Sequence, residues 1–169
     1  EAFARAGVDL ELIVTNRKTP ISEEPFSYYG VKTFLTITRL RTFDILRWGS
    51  VGYVLQSILF GLQSVLYTWR NSAYVLYGRD EIVLAVLAFC TSKKIVWESH
   101  DGSWNIWARY LVKRAHGIVT VTAGARSFYE SRGVPEAKIL AVPNGIDLAA
   151  FANPNSKEEA RRRLGLPTD

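Results

Sequence analysis

Apolar and polar residues follow one rhythm over most of the chain and a different one in its middle. From residue 72 onward, short apolar runs recur at 74–77 (Tyr-Val-Leu-Tyr), 95–98 (Ile-Val-Trp-Glu), 118–121 (Ile-Val-Thr-Val) and 139–142 (Ile-Leu-Ala-Val). Each is followed by a polar or glycine-bearing turn. After the first three, a segment of helical period comes next: Asp80 caps a helix to residue 90, Ser103 caps one to about residue 114, and Thr122 starts one that Gly133 stops before Pro135. Strands alternating with helices of this length predict right-handed βαβ units and a parallel sheet. Unbroken apolar strands predict that both faces of that sheet are covered.

The first seventy residues read differently. Residues 1–6 look like the last turns of a helix ended by Gly7, residues 10–15 (Leu-Glu-Leu-Ile-Val-Thr) a strand, residues 16–30 a loop with two prolines, and residues 31–37 a second strand. Between Arg47 and Arg70 there are 22 residues without a charge. Their polar members, Ser50, Gln56-Ser57 and Gln63-Ser64, recur every seven residues and so form one narrow stripe on a long apolar helix. Three readings stand: a helix buried against a sheet with a thin wet edge, a helix lying on a membrane surface between flanking arginines, or a true span. Glutamines at two depths make it a poor span. At the far end, residues 152–155 are linker-like, and Ser156 with Glu159 forms a capping box. Arg161, Arg162 and Arg163 stand behind Glu158 and Glu159 at i,i+4 spacing, so a solvated charged helix is preferred to a nucleic-acid or lipid patch.

Composition narrows the classes. The 169 residues are 48% hydrophobic and 22% charged, the composition of a globular chain. One cysteine, Cys90, excludes an intrachain disulfide and suits a reducing cytoplasm; with only His100 and His116 beside it, a Cys/His zinc site is excluded as well. The net charge of +5 favours acidic partners such as phosphorylated substrates or anionic headgroups. No nucleic-acid module is apparent. No dinucleotide or phosphate-binding glycine motif follows a strand, and no Gly-x-Ser-x-Gly elbow is present. The chain opens without an initiator methionine and reads as a fragment of a longer polypeptide.

A doubly wound sheet binds ligands at the carboxyl ends of its strands, so candidate chemistry is confined to four loops. These carry Gly78-Arg79-Asp80, Ser99-His100-Asp101-Gly102, Thr122-Ala123-Gly124 and Pro143-Asn144-Gly145-Ile146-Asp147. His100, just past a buried strand and before a helix, is placed to hydrogen-bond a ligand; the plainer alternative is a bond to its neighbour Asp101 or a helix cap. Arg79 could clamp a phosphate or carboxylate and Asp80 could act as a base, or Asp80 caps its helix and Arg79 pairs with it. Trp104 and Trp107 share a helical face with Ala108, Leu111, Val112 and Ala115 and are read as core. His116, after that helix, is read as a favourable charge near its C-terminus.

Three segments taken together resemble a known family. Arg114-Ala115-His116-Gly117-Ile118-Val119-Thr120-Val121-Thr122, then Gly133-Val134-Pro135-Glu136-Ala137-Lys138-Ile139, then Val142-Pro143-Asn144-Gly145-Ile146-Asp147 with Phe151, resemble the N-terminal domain of glycosyltransferase family 4. Tyr77-Gly78-Arg79-Asp80 and Glu98-Ser99-His100-Asp101 match loops of that domain that face the active cleft. The resemblance is clear from about residue 74 to the end and architectural before it. It implies the N-terminal, acceptor-binding half of a GT-B enzyme: a Rossmann-like doubly wound parallel sheet over residues 1–151, lacking its first strand, which would lie between the strands at residues 10 and 74. Residues 152–169 would be a linker and short helix leading to an absent donor-binding domain, and this chain alone would be inactive. Transfer from a nucleotide sugar to a saccharide or lipid-linked acceptor would retain configuration without a metal or other cofactor. His100 would approach the transferred sugar or acceptor hydroxyl, Arg79, Asp80 and Asp101 would bind the acceptor, and Thr122, Asn144 and Gly145 would lie toward the cleft floor and donor side. The setting would be cytoplasmic, with peripheral contact at the inner membrane face through residues 48–69. A sugar-nucleotide epimerase of similar build and a non-catalytic membrane-docking module are the rival readings.

Overall fold

The computed structural model describes residues 2–17, 21–31, 35–145 and 155–167. A single helical turn, α1 (Ala2–Arg5), leads to strand β1 (Glu11–Thr15), the short helix α2 (Pro25–Tyr28), strand β2 (Thr36–Leu40) and the long helix α3 (Gly49–Arg70). Strands and helices then alternate: β3 (Val75–Gly78), α4 (Glu81–Cys90), β4 (Lys94–Ser99), α5 (Ile106–Arg114), β5 (Gly117–Thr120), α6 (Ala123–Glu130) and β6 (Ile139–Ala141). Helix α7 (Lys157–Arg163) comes last, with Ser156 Oγ accepting from the Glu159 N–H as its cap. The expected α/β architecture is present, and every strand pairing is parallel.

Strands β3-β4-β5-β6 lie in sequential order in one sheet, and β1 and β2 pair in another. No ladder joins the two sheets among the described residues. The register places Leu76 beside Ile95, Trp97 beside Ile118, and Ser99 beside Thr120. These residues share one face, which with α4, α5 and the Tyr129 ring of α6 forms the core. The other face is only partly covered: Val75, Tyr77 and Leu140 are exposed on it. The expectation of two covered faces is therefore corrected for β3–β6. When consecutive strands are also neighbours, crossovers of one hand all return over the same side, so α4, α5 and α6 share a face.

Helix α3 corrects a second expectation, that a buried helix would carry a thin wet polar edge. Most of its polar stripe points inward, with Ser50 exposed and Gln63 half-buried. Gln56, Ser57, Ser64 and Thr68 are buried together with Gly52, Gly61 and Val65, while Val51, Leu55, Leu59, Leu62, Leu66 and Trp69 are exposed. The small residues explain the inversion. A Cβ on Gly61 would stand 2.9 Å from the Val86 Cβ of α4, a separation that only a side chain without that atom permits. The buried hydroxyls find local partners: Thr68 Oγ1 donates to the Val65 carbonyl at 3.0 Å, and Ser57 Oγ donates to Asp80 at 3.2 Å.

Smaller departures have local causes. The second strand starts at Thr36 rather than Val31 and runs on to Leu40. The loop after β1 holds α2, whose first N–H groups are capped by Glu24, with Pro25 at its first position. Asn105, not Ser103, caps α5: its Oδ1 accepts from Trp107 and Ala108, while Ser103 Oγ accepts from Asn105 Nδ2. His116 Nδ1 accepts from the Ile95 N–H at 3.4 Å, which ties the ring after α5 to the start of β4.

Candidate functional site

The loops after β3 and β4 open together on a cavity of about 410 Å³ at the carboxyl edge of the sheet. Its lining includes Tyr53 from α3, Arg79 and Asp80 from the first loop, Glu98 at the end of β4, His100 and Asp101 from the second loop, and Trp107 from α5. The loop that presents His100 turns at Gly102, whose φ is +67°. A Cβ there would also meet the Phe128 ring at 3.2 Å, so backbone conformation and space both call for glycine.

Glu98 organises the cavity. It is buried at the end of β4, one residue before Ser99. Its Oε1 accepts from Arg79 Nη2 at 3.0 Å and from His100 Nε2 at 2.5 Å, and its Oε2 accepts from the Tyr77 hydroxyl. Burial alone would raise the carboxyl's pKa; the hydrogen bonds from Tyr77, His100 and Arg79 and the charge of Arg79 outweigh it and hold the group below the ordinary carboxylate value. The Tyr77 phenol moves the opposite way, raised by burial and then by the hydrogen bond to Glu98 and its charge. His100 meets Glu98 through Nε2, which leaves its Nδ1 outside that contact and able to face a ligand. The Arg79 side chain is two-thirds exposed, so most of its five donors remain available to a ligand.

Asp80 does the structural work that its position allowed as the alternative. Oδ1 accepts from the Ile82 and Val83 N–H groups at 2.9 and 3.0 Å, capping α4. Oδ2 accepts from Tyr53 Oη at 3.0 Å and from Ser57 Oγ. Four donors occupy the carboxylate, which braces Tyr53 and the start of α4. Burial, followed by the charge and hydrogen bond of Asp80, raises the Tyr53 phenol, which stays protonated and donates to that carboxylate. A second brace joins the two helices: Asn105 Nδ2 donates to Glu81 Oε2 at 2.5 Å, linking the start of α5 to that of α4. The positive ends of both helices thus border one cavity.

Arg79, Asp80, His100 and Asp101 are brought together. Thr122, Asn144 and Gly145 follow β5 and β6 at the same edge of the sheet but do not line this cavity. Thr122 Oγ1 caps α6 by accepting from the Ala125 N–H at 3.0 Å. Ile146, Asp147 and Phe151 lie outside the described residues. Tyr77 and Glu98 enter the sequence reading only as members of the segments 77–80 and 98–101, without a role of their own, and Tyr53 is given none at the site. Glu98 and His100 lie two apart, on the same side of an extended segment, which was the available signal. Tyr53 stands off the apolar side of its helix, a weaker one.

A larger, shallow depression of about 720 Å³ lies against β5 and β6. Its charged walls are already engaged: Arg126 pairs with Glu130 and Glu136, and Lys138 Nζ donates to the Val112 and Lys113 carbonyls. The cavity beside Glu98 is the candidate site.

A parallel α/β sheet with polar loops gathered at its carboxyl edge defines the class. Residues 1–150 match Glycosyltransferase Family 4, and the chain belongs to that family. D-inositol 3-phosphate glycosyltransferase of Kineococcus radiotolerans is 37% identical over 65 residues, covering 38% of this chain and 15% of that protein. The fold is shared with Anabaena Alr3699/HepE. Its structure with UDP and glucose aligns at a TM-score of 0.58 and 16% identity, over 83% of this chain and 40% of that one. Its structure with UDP-glucose aligns at 0.59 and 10% identity, over 92% and 50%. The chain therefore spans half or less of these relatives.

Proposed function

We propose that this chain is the acceptor-binding half of a retaining glycosyltransferase that moves a sugar from a nucleotide-sugar donor to a saccharide or lipid-linked acceptor. The observation that carries the reading is the shared anchoring of Arg79 and His100 on the buried Glu98 carboxylate. Family membership supports it, as does the likeness in fold to a protein solved with UDP and with UDP-glucose. Residues 152–169 would lead into a donor-binding domain, and without that domain the acceptor half would be inactive.

Each group then has a task. His100 Nδ1 accepts a hydrogen bond from a hydroxyl of the acceptor or of the transferred sugar. Arg79 donates to an acceptor oxygen, with greatest effect where that oxygen belongs to a phosphate. Asp101 lies at the rim to meet further hydroxyls, and Asp80 acts through Tyr53 and the start of α4. Retention brings the incoming hydroxyl to the face that the nucleotide leaves, so fixed donors and acceptors contribute more than one strong base. No resident metal is needed for these tasks, and a reducing cytoplasm suits the lone Cys90. In the full-length protein assayed with nucleotide sugars, His100→Ala is expected to lower kcat/KM by about 100-fold or more, and nuclear magnetic resonance of the product to show the donor's anomeric configuration. Full activity in His100→Ala would remove its role, and an inverted product would overturn the retaining step.

A further inference from the structure

Helix α6 adds no residue to the lining of the candidate cavity, yet one of its side chains holds the loop that presents His100. Tyr129 is fully buried. Its Oη lies 2.7 Å from Ser99 Oγ and donates to the Ser103 carbonyl at 3.2 Å. A carbonyl can only accept, so the phenol proton directed there leaves the phenol oxygen to accept from Ser99 Oγ. Ser99 and Ser103 bound the segment that carries His100, Asp101 and Gly102. One phenol oxygen therefore closes the loop 99–103. The ring is itself held: Trp97, Trp104 and Phe128 meet it at centroid separations of 5.5, 6.3 and 5.3 Å, the first and last edge-on. Phe128, its neighbour on α6, also stands against Gly102. Burial raises the phenol to about 12, which keeps its proton in place at neutral pH.

We infer that Tyr129 is a positioning residue of the candidate site, whose phenol oxygen sets the loop that holds His100 against Glu98. The loop has little else to fix it. Among the described residues, no turn hydrogen bond between main-chain groups ties residues 100–103 to one another. A phenylalanine at 129 would fill the same space but leave Ser99 Oγ and the Ser103 carbonyl without this partner. Ser103 passes the constraint on: its Oγ accepts from Asn105 Nδ2, the side chain that caps α5 and reaches Glu81 at the start of α4. Thr122, which caps α6 after β5, thus bears on the cavity through Tyr129 without lining it. The effect of Tyr129 on turnover rests on the transferase reading; its effect on the His100 ring does not.

The test compares Tyr129→Phe with the wild type in the full-length protein, with and without the His100 side chain. Tyr129→Phe should lower kcat by about tenfold and leave the calorimetric affinity for UDP within about twofold. In a His100→Ala background the same substitution should change kcat by less than about twofold, because a group that acts through His100 has nothing left to place. Ser99→Ala removes the other hydroxyl of the pair and should reproduce the loss, which keeps the test open if Tyr129→Phe folds poorly. With histidine labelled at its ring carbon, the nuclear magnetic resonance signal of His100, assigned by its loss in His100→Ala, should move in both variants. Effects that multiply with His100→Ala, or a His100 signal that stays in place in both variants, overturn the inference. If the wild type transfers no sugar, the transferase reading fails by itself, and movement or stillness of the His100 signal still decides whether Tyr129 sets the loop.

Discussion

Glu98 shows how one buried carboxylate can order a polar cavity. Its charge is stabilised by three donors from three positions: Tyr77 in β3, Arg79 in the loop that follows, and His100 in the next loop. Because the folded-state pKa is lowered, the stabilisation is present above the ordinary carboxylate value of about 4.3 and is lost as pH falls through the folded value. Replacing Glu98 with Gln should cost about 1–3 kcal/mol at neutral pH. The urea midpoints of the two proteins should converge on acidification, and a gap that stays constant to pH 3 would refute the ionised hub. At this scale the sequence was half legible. His100, Arg79 and Asp101 could be named from their place after apolar strands. Glu98 had only its two-residue offset from His100 to mark it, and its role as a hub was not legible, because a carboxylate in a strand declares itself only when its partners on neighbouring elements are known. Asp80 was legible as a choice between base and cap, and the structure shows the cap contacts, with Tyr53 and Ser57 as further donors.

Among the elements, the strand-helix alternation from β3 to β6 was readable nearly to the residue, since each apolar run is bounded by a glycine, a proline or a capping side chain. The long helix was readable in extent but not in orientation. Periodicity tells which residues share a side; it does not tell which side meets the protein. Small residues decided it, with Gly52, Ser57, Gly61 and Ser64 permitting contact that larger side chains would block. Gly61→Leu should therefore force α3 away from α4 and destabilise the fold by about 1–3 kcal/mol, measured by chemical denaturation, whereas the exposed Leu62→Gln should change stability by less than about 0.5 kcal/mol. Equal effects at the two positions would contradict the inverted packing. Gly102→Ala is expected to cost about 1–2 kcal/mol for its left-handed backbone, and by shifting the loop it should lower turnover as well.

For the whole molecule, the parallel sheet and the gathering of two loops at its carboxyl edge followed from patterning alone, while the separation of β1 and β2 from the larger sheet was expected only from the family resemblance, which puts an absent strand between the strands at residues 10 and 74. Nothing in a strand's own residues states which neighbour it hydrogen-bonds. The uneven covering of the β3–β6 sheet follows from sequential strand order, a property of topology that apolar strands do not reveal. The division of labour proposed for this half has a direct test. In the full-length protein, Arg79→Ala and His100→Ala should leave the calorimetric affinity for UDP within about twofold, a change of roughly 0.4 kcal/mol, while turnover of the acceptor falls by at least about 100-fold. The opposite outcome, UDP affinity lost with acceptor turnover kept, would contradict an acceptor site built on Glu98.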